Sequence, residues 1–145
     1  MNTHQRIENA FFASWVVALI ATGGSLFFSE VLQYIPCELC WYQRIMMYPL
    51  AILLGVASVK KDFGMSRYAF ILSVIGGSIS FYHYLIQKVP ALHELGSSCG
   101  IIPCHTDYIN WLGFITIPFL ALIAFILIAF LQVYIWKTEK ECNPA

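Results

Sequence analysis

The chain has 145 residues, of which 59% are hydrophobic and only 11% charged, and its formal net charge is zero. Soluble domains carry about a quarter charged residues, so this composition excludes one. The neutral balance argues against nucleic acid as a partner.

The apolar residues fall into four long runs: Ala10 to Phe28, Trp41 to Val59, Tyr68 to Ile86 and Trp111 to Ile135. A helix needs about 20 mostly apolar residues to cross a bilayer core of about 30 Å. Backbone polar groups find no water in lipid, so each run predicts a helix, and no short alternating segments suggest a barrel. The expected fold is therefore an all-α integral membrane domain, an antiparallel bundle of four transmembrane helices spanning 10–28, 41–59, 68–86 and 111–135.

The first run follows a short polar stretch containing Arg6 and is too long for the apolar part of a usual signal peptide, so an uncleaved span is expected. It contains "ATGGS", 21 to 25, and the third run contains "IGGSIS", 75 to 80. Small residues of this kind let membrane helices approach closely. Pro49 and Pro118 fall inside the second and fourth runs, where each predicts a kink. The short connection "KKDFGMSR", 60 to 67, makes the second and third spans neighbours.

Orientation follows from the basic residues near span ends. Arg6, Lys60, Lys61, Arg67, Lys137 and Lys140 lie on one side, and Arg44 and Lys88 on the other. The first side is expected to be cytoplasmic, with both termini. Segments 29–40 and 87–110 then face outward, with Tyr34, Trp41, Tyr42, Tyr108 and Trp111 as an outer aromatic belt.

This topology sorts the five cysteines. Cys37, Cys40, Cys99 and Cys104 face the outer, disulfide-permissive compartment, while Cys142 sits in the cytoplasmic tail as a bystander. The first pair lies in "YIPCELCWYQR", 34 to 44. Cys40 opens the second span, at the positive end of that helix's dipole, where a thiolate is favoured. Arg44 lies one turn deeper on the same face and stays charged. It suits an anionic group such as a reduced quinone oxygen better than it suits plain snorkelling.

Three readings compete for the four outer cysteines: a redox relay of two disulfides, a Cys₄ zinc site, and two static staples. Zinc is disfavoured by the oxidising side and by Arg44. Static staples are disfavoured by the strain of a Cys-x-x-Cys ring. The relay is the reading favoured from the residues alone.

"CELCWYQR", 37 to 44, resembles the Cys-x-x-Cys-x-Tyr-x-Arg signature of the disulfide bond formation protein B (DsbB) family. The length, the four spans and the second cysteine pair after the third span match as well. "ASWVVALIATGGSLFFSE", "IPCELCWYQRIMMYPL" and "YINWLGFITIPFLALIAFILI" look most like its short Gram-positive branch, BdbC. The resemblance implies a thiol–quinone oxidoreductase of the bacterial cell membrane, multi-pass, with its active face extracytoplasmic. Such a protein reoxidises a DsbA-like extracytoplasmic thiol oxidase and passes electrons to quinone, here menaquinone, in support of disulfide formation in exported proteins.

By the same resemblance the disulfides are Cys37–Cys40, coupled to quinone, and Cys99–Cys104, facing the partner. Cys40 would contact quinone and Cys37 would exchange with the second pair. Cys99 would take the mixed disulfide and Cys104 relay to Cys37. Arg44, Tyr42 and His83 would border the quinone, and no metal is expected. The outer pair "CGIIPC", 99 to 104, is closer spaced than in longer-loop members, which leaves the order of exchange open. A vitamin K epoxide reductase-like quinone reductase and a non-enzymatic zinc-binding membrane protein are the rival readings.

Overall fold

The computed structural model describes residues 2–92, 94, 104 and 112–142. Among the described residues, four long helices carry the fold: α1 (Thr3–Glu30), α2 (Glu38–Lys60), α3 (Met65–Lys88) and α4 (Ile117–Cys142), and a 3₁₀ turn follows α3 at Pro90–Leu92. All four are long and apolar enough to cross a membrane. Their outward faces are as apolar as the inner ones. Ile20, Ile52, Ile71 and Phe130, one on each helix, are all exposed. In water that surface would be prohibitive, whereas hydrocarbon solvates it.

The helices pack in a ring. α1 contacts α2 and α4, and α3 contacts α2 and α4. The core is a column of buried side chains, Ile7 and Phe11 from α1, Leu50 and Leu54 from α2, and Phe125, Ile128 and Ile135 from α4. One polar tie crosses it: Gln132 Nε2 donates to Ser14 Oγ at 3.0 Å, and Ser14 Oγ donates to the Ala10 carbonyl at 2.8 Å. Such interhelical bonds in hydrocarbon are worth about 1 kcal/mol and fix register.

The turn between α2 and α3 is built from its own residues. Lys61 adopts a left-handed conformation at the end of α2, and Asp62 Oδ1 accepts from the Gly64 amide at 3.0 Å. Lys61 also meets Glu8 of α1 at 2.8 Å. At the same end, Arg67 at the start of α3 and Lys140 near the end of α4 both lie over the Trp136 ring. At the other end, Lys88 Nζ donates to the Gly113 carbonyl at 2.9 Å, tying the end of α3 to the approach to α4.

Two details differ from the sequence expectations. The fourth helix begins at Ile117, not at Trp111, because Leu112 and Gly113 take positive φ angles of 53° and 79° that turn the chain first. Pro118 therefore lies in the first turn of α4, where its missing N–H leaves no intrahelical bond unmade. Pro49 does sit inside α2. The two glycine stretches also part company. A Cβ on Gly76 would collide with the Phe125 ring, so this glycine sets the α3–α4 approach, whereas Gly23 and Gly24 face open space.

Gly76→Ala should therefore destabilise the bundle by about 1–3 kcal/mol through overpacking. Thermal melts of the detergent-solubilised variant should show a lower midpoint. An unchanged midpoint would mean that α3 and α4 do not meet at Gly76.

Candidate functional site

Cys37 is the N-cap of α2. Its backbone is extended, with φ −73° and ψ 172°, and its carbonyl accepts the first helical bond, from Trp41 N at 3.2 Å. Pro36 before it disfavours helix at the preceding position, so the helix starts at this cysteine pair. One turn on, Cys40 brings its sulfur back over the cap. The two sulfurs lie 3.2 Å apart, with the Cys37 thiol donating to Cys40. That bond, with burial behind it, pushes the Cys37 thiol up to about 12, against a smaller opposing pull from His83.

His83 comes from α3 and is buried, at 1% exposure. Its Nε2 lies 3.6 Å from Cys37 Sγ and 3.1 Å from the carbonyl oxygen of Cys104. Its Nδ1 lies 3.1 Å from Nε2 of Gln43, which is also buried. With the Gln43 amide donating to Nδ1, Nε2 carries the ring proton and donates to Cys104. One imidazole thus joins α2, α3 and the segment of the second cysteine pair. Cys104 itself is buried beside this cluster, and Cys99 lies outside the described residues.

Arg44, one turn below Cys40, is held by α1. Its Nε donates to Ser25 Oγ at 3.0 Å and its Nη2 to the Ser25 carbonyl at 3.2 Å. Its guanidinium also lies 5.5 Å from the Trp41 ring centre. Beside it opens a cavity of about 500 Å³ between α1, α2, α4 and the segment Tyr34 to Pro36. Val17, Ala21, Gly24, Phe28, Met47, Leu120 and Ala124 give it an apolar wall. Cys40, Gln43, Arg44, Ser25 and Tyr48 supply polar groups at the same wall. Concave, mostly apolar sites with a few converging polar groups are where ligands of this size bind.

The structure brings Cys37, Cys40, His83 and Cys104 into one cluster and sets Arg44 on the cavity with Cys40. Tyr42 is half-exposed, hydrogen bonds to Glu38 Oε1 at 3.1 Å and is not among the cavity's lining residues. His83 likewise stands behind Gln43 at the thiols and not on the cavity wall. Sequence reading missed Gln43 and Ser25. Gln43 had a signal, because a polar side chain within an apolar run is a functional candidate by default. Ser25 had none beyond its place in a small-residue stretch.

The family model "Disulfide bond formation protein DsbB" matches residues 7–135. The chain belongs to the DsbB family. Relatives across almost its whole length agree. It is 58% identical over 130 residues to "Disulfide bond formation protein C" of Bacillus subtilis, covering 90% of this chain and 94% of that one. It is 50% identical over 139 residues to "Probable disulfide formation protein C 1" of Bacillus anthracis, covering 96% and 100%. A "Probable disulfide formation protein" of Coxiella burnetii is 43% identical over 123 residues, 83% of each chain. No solved structure matches significantly. As a DsbB-family protein with four membrane-spanning helices, the chain is a multi-pass membrane protein and a disulfide-generating oxidoreductase.

Proposed function

We propose that this DsbB-family protein is a thiol–quinone oxidoreductase of the bacterial cell membrane. It reoxidises a DsbA-like extracytoplasmic thiol oxidase and delivers the electrons to menaquinone. The observation that carries this reading is the division of the first pair. Cys40 lines an apolar cavity with Arg44, while Cys37 faces His83 and the segment of Cys104. An apolar wall with one cation at its rim suits a ligand with a hydrocarbon tail and a head that becomes electron-rich on reduction.

Each exchange is a thiolate attack on a disulfide sulfur, with the displaced sulfur leaving as thiolate. The partner's dithiol reduces Cys99–Cys104 and leaves as a disulfide, through a mixed disulfide at Cys99. The Cys104 thiolate then attacks Cys37 of the Cys37–Cys40 disulfide, and Cys40 leaves as thiolate at the cavity wall. Closure of Cys99 onto Cys104 releases Cys37, so the first pair now holds both electrons. Cys40 and Arg44 would face a quinone held in the cavity, which would supply the acceptor for those two electrons and two protons. Arg44 orients the quinone head and balances negative charge beside Cys40. His83 holds the Cys104 backbone within reach of Cys37.

For this chemistry the helices run antiparallel, with both termini cytoplasmic and both cysteine pairs outside. Six of the eight basic residues then lie inside. The Lys61–Glu8 pair and the stacking of Arg67 and Lys140 on Trp136 gather that end of the bundle, which supports the arrangement.

The test is direct. Purified protein, a reduced thioredoxin-like oxidase and a menaquinone analogue are mixed, and quinone absorbance is followed beside partner thiols. One quinol per partner disulfide is expected. No quinone reduction with an active partner refutes the reading, and a faster reaction with ubiquinone overturns menaquinone alone.

A further expectation concerns the cavity. Gly24 lines it and has open space in front of it. Gly24→Leu should fill part of that volume and raise the quinone KM, while partner oxidation in a single turnover proceeds normally. Unaltered quinone kinetics would move the site elsewhere.

A further inference from the structure

Cys37 Sγ, Cys40 Sγ and a ring nitrogen of His83 all lie within 4.8 Å of one another. A tetrahedral zinc with bonds of about 2.3 Å to sulfur and about 2.0 Å to nitrogen spaces its ligands about 3.8 Å (S to S) and about 3.5 Å (S to N) apart. The corresponding distances here are 3.2 Å between the sulfurs and 3.6 Å from Cys37 Sγ to His83 Nε2. Little movement separates this cluster from a metal-binding geometry.

We propose that the reduced form of this site takes one thiophilic divalent cation, zinc foremost, on Cys37 Sγ, Cys40 Sγ and His83 Nε2, and that the bound metal arrests turnover. Loading is not a redox step. The two thiols release two protons, and two thiolates plus Zn²⁺ form a neutral unit, which a buried site tolerates far better than a net charge. The ring proton moves from Nε2 to Nδ1, where Gln43, with its amide turned, accepts it through Oε1. An outer-shell acceptor of this kind fixes the tautomer of a ligating histidine. The Cys104 carbonyl oxygen lies 3.1 Å from Nε2, at the same side of the cluster.

The oxidised pair has no thiolate to offer, so the metal discriminates between redox states. Bound zinc also ties up the sulfur lone pairs needed for exchange. Metal binding rests on the thiol–imidazole geometry and not on the quinone reading, so either can fail without the other, whereas the arrest of turnover rests on the proposed thiol exchange.

The test uses full-length protein in detergent with Cys99, Cys104 and Cys142 changed to serine, leaving two of the five cysteines. The chain is reduced, freed of reductant without oxygen, and titrated with Zn²⁺ against a chromophoric chelator. One zinc per reduced chain and none per oxidised chain are expected. Co²⁺ in its place should give tetrahedral d–d bands with sulfur-to-cobalt charge transfer. Gln43→Leu should weaken zinc binding by about 10- to 100-fold, and His83→Gln by more. In the unsubstituted protein, zinc should stop turnover and a chelator restore it. The proposal is overturned by no uptake in the reduced chain, by equal uptake in the oxidised chain, or by an octahedral cobalt spectrum. Undiminished affinity in a folded His83→Gln variant also overturns it.

Discussion

Cys40→Ser should abolish quinone reduction while leaving the bundle folded. The thiolate is the reactive species in this chemistry, and a serine hydroxyl at its own pKa is a poor nucleophile and forms no disulfide. Removal of such a group costs on the order of 10³-fold or more in turnover. The fold should bear the change because Cys40 is only half-buried and the replacement is nearly isosteric. A specific by-product should appear. With Cys40 gone, Cys37 is left beside the second pair, and its disulfide with Cys104 has no resolving partner on α2. Attack of Cys37 on Cys104 of the Cys99–Cys104 disulfide forms it and releases Cys99 as thiolate. Non-reducing peptide mapping by mass spectrometry before partner is added should find Cys37–Cys104, and that single disulfide should then be consumed in oxidising one equivalent of partner dithiol and no more. Continued turnover with quinone would remove Cys40 from its proposed role.

Arg44→Gln should separate quinone use from thiol exchange. A guanidinium carries five donors, and two are spent on Ser25, leaving others for a ligand head. A charge-assisted hydrogen bond is worth about 1.5–3 kcal/mol. At about 1.4 kcal/mol per tenfold, the quinone KM should rise by about 10- to 100-fold. Partner oxidation in a single turnover without quinone should keep its rate, since Cys37 and Cys104 meet through His83 and not through Arg44. Glutamine retains a donor and much of the length, so the Ser25 contact is the part most easily rebuilt. Steady-state kinetics at varied quinone concentration measure the effect, and an unchanged KM would assign Arg44 to the membrane surface.

The helices were legible because each is written locally, as a run of apolar residues long enough to cross hydrocarbon. Their ends were less so. α1 reaches back to Thr3 through polar residues that hydropathy does not count, and α4 waits for the backbone reversal at Leu112 and Gly113. The shared face of Cys40 and Arg44 was legible for the same reason: helical spacing alone sets it. The Gln43–His83 bond and the Arg44–Ser25 clamp were not, because each joins side chains on different helices whose rotation no single segment records. The glycines show the same limit. "IGGSIS" and "ATGGS" read alike, yet Gly76 closes on Phe125 and Gly24 opens onto a cavity.

The split orientation of the first pair has an electrical consequence. The cavity is walled by α1, α2 and α4, and none of its lining residues comes from α3. Cys40 borders it, while Cys37 turns toward α3. On the proposed function, an oxidant dissolved in the lipid and a reductant arriving from outside would be served by opposite terminals of one two-atom conductor, without sharing a volume. Such insulation would guard against a short circuit, in which lipid-borne oxidant oxidised stray thiols at random and the current bypassed the chosen partner.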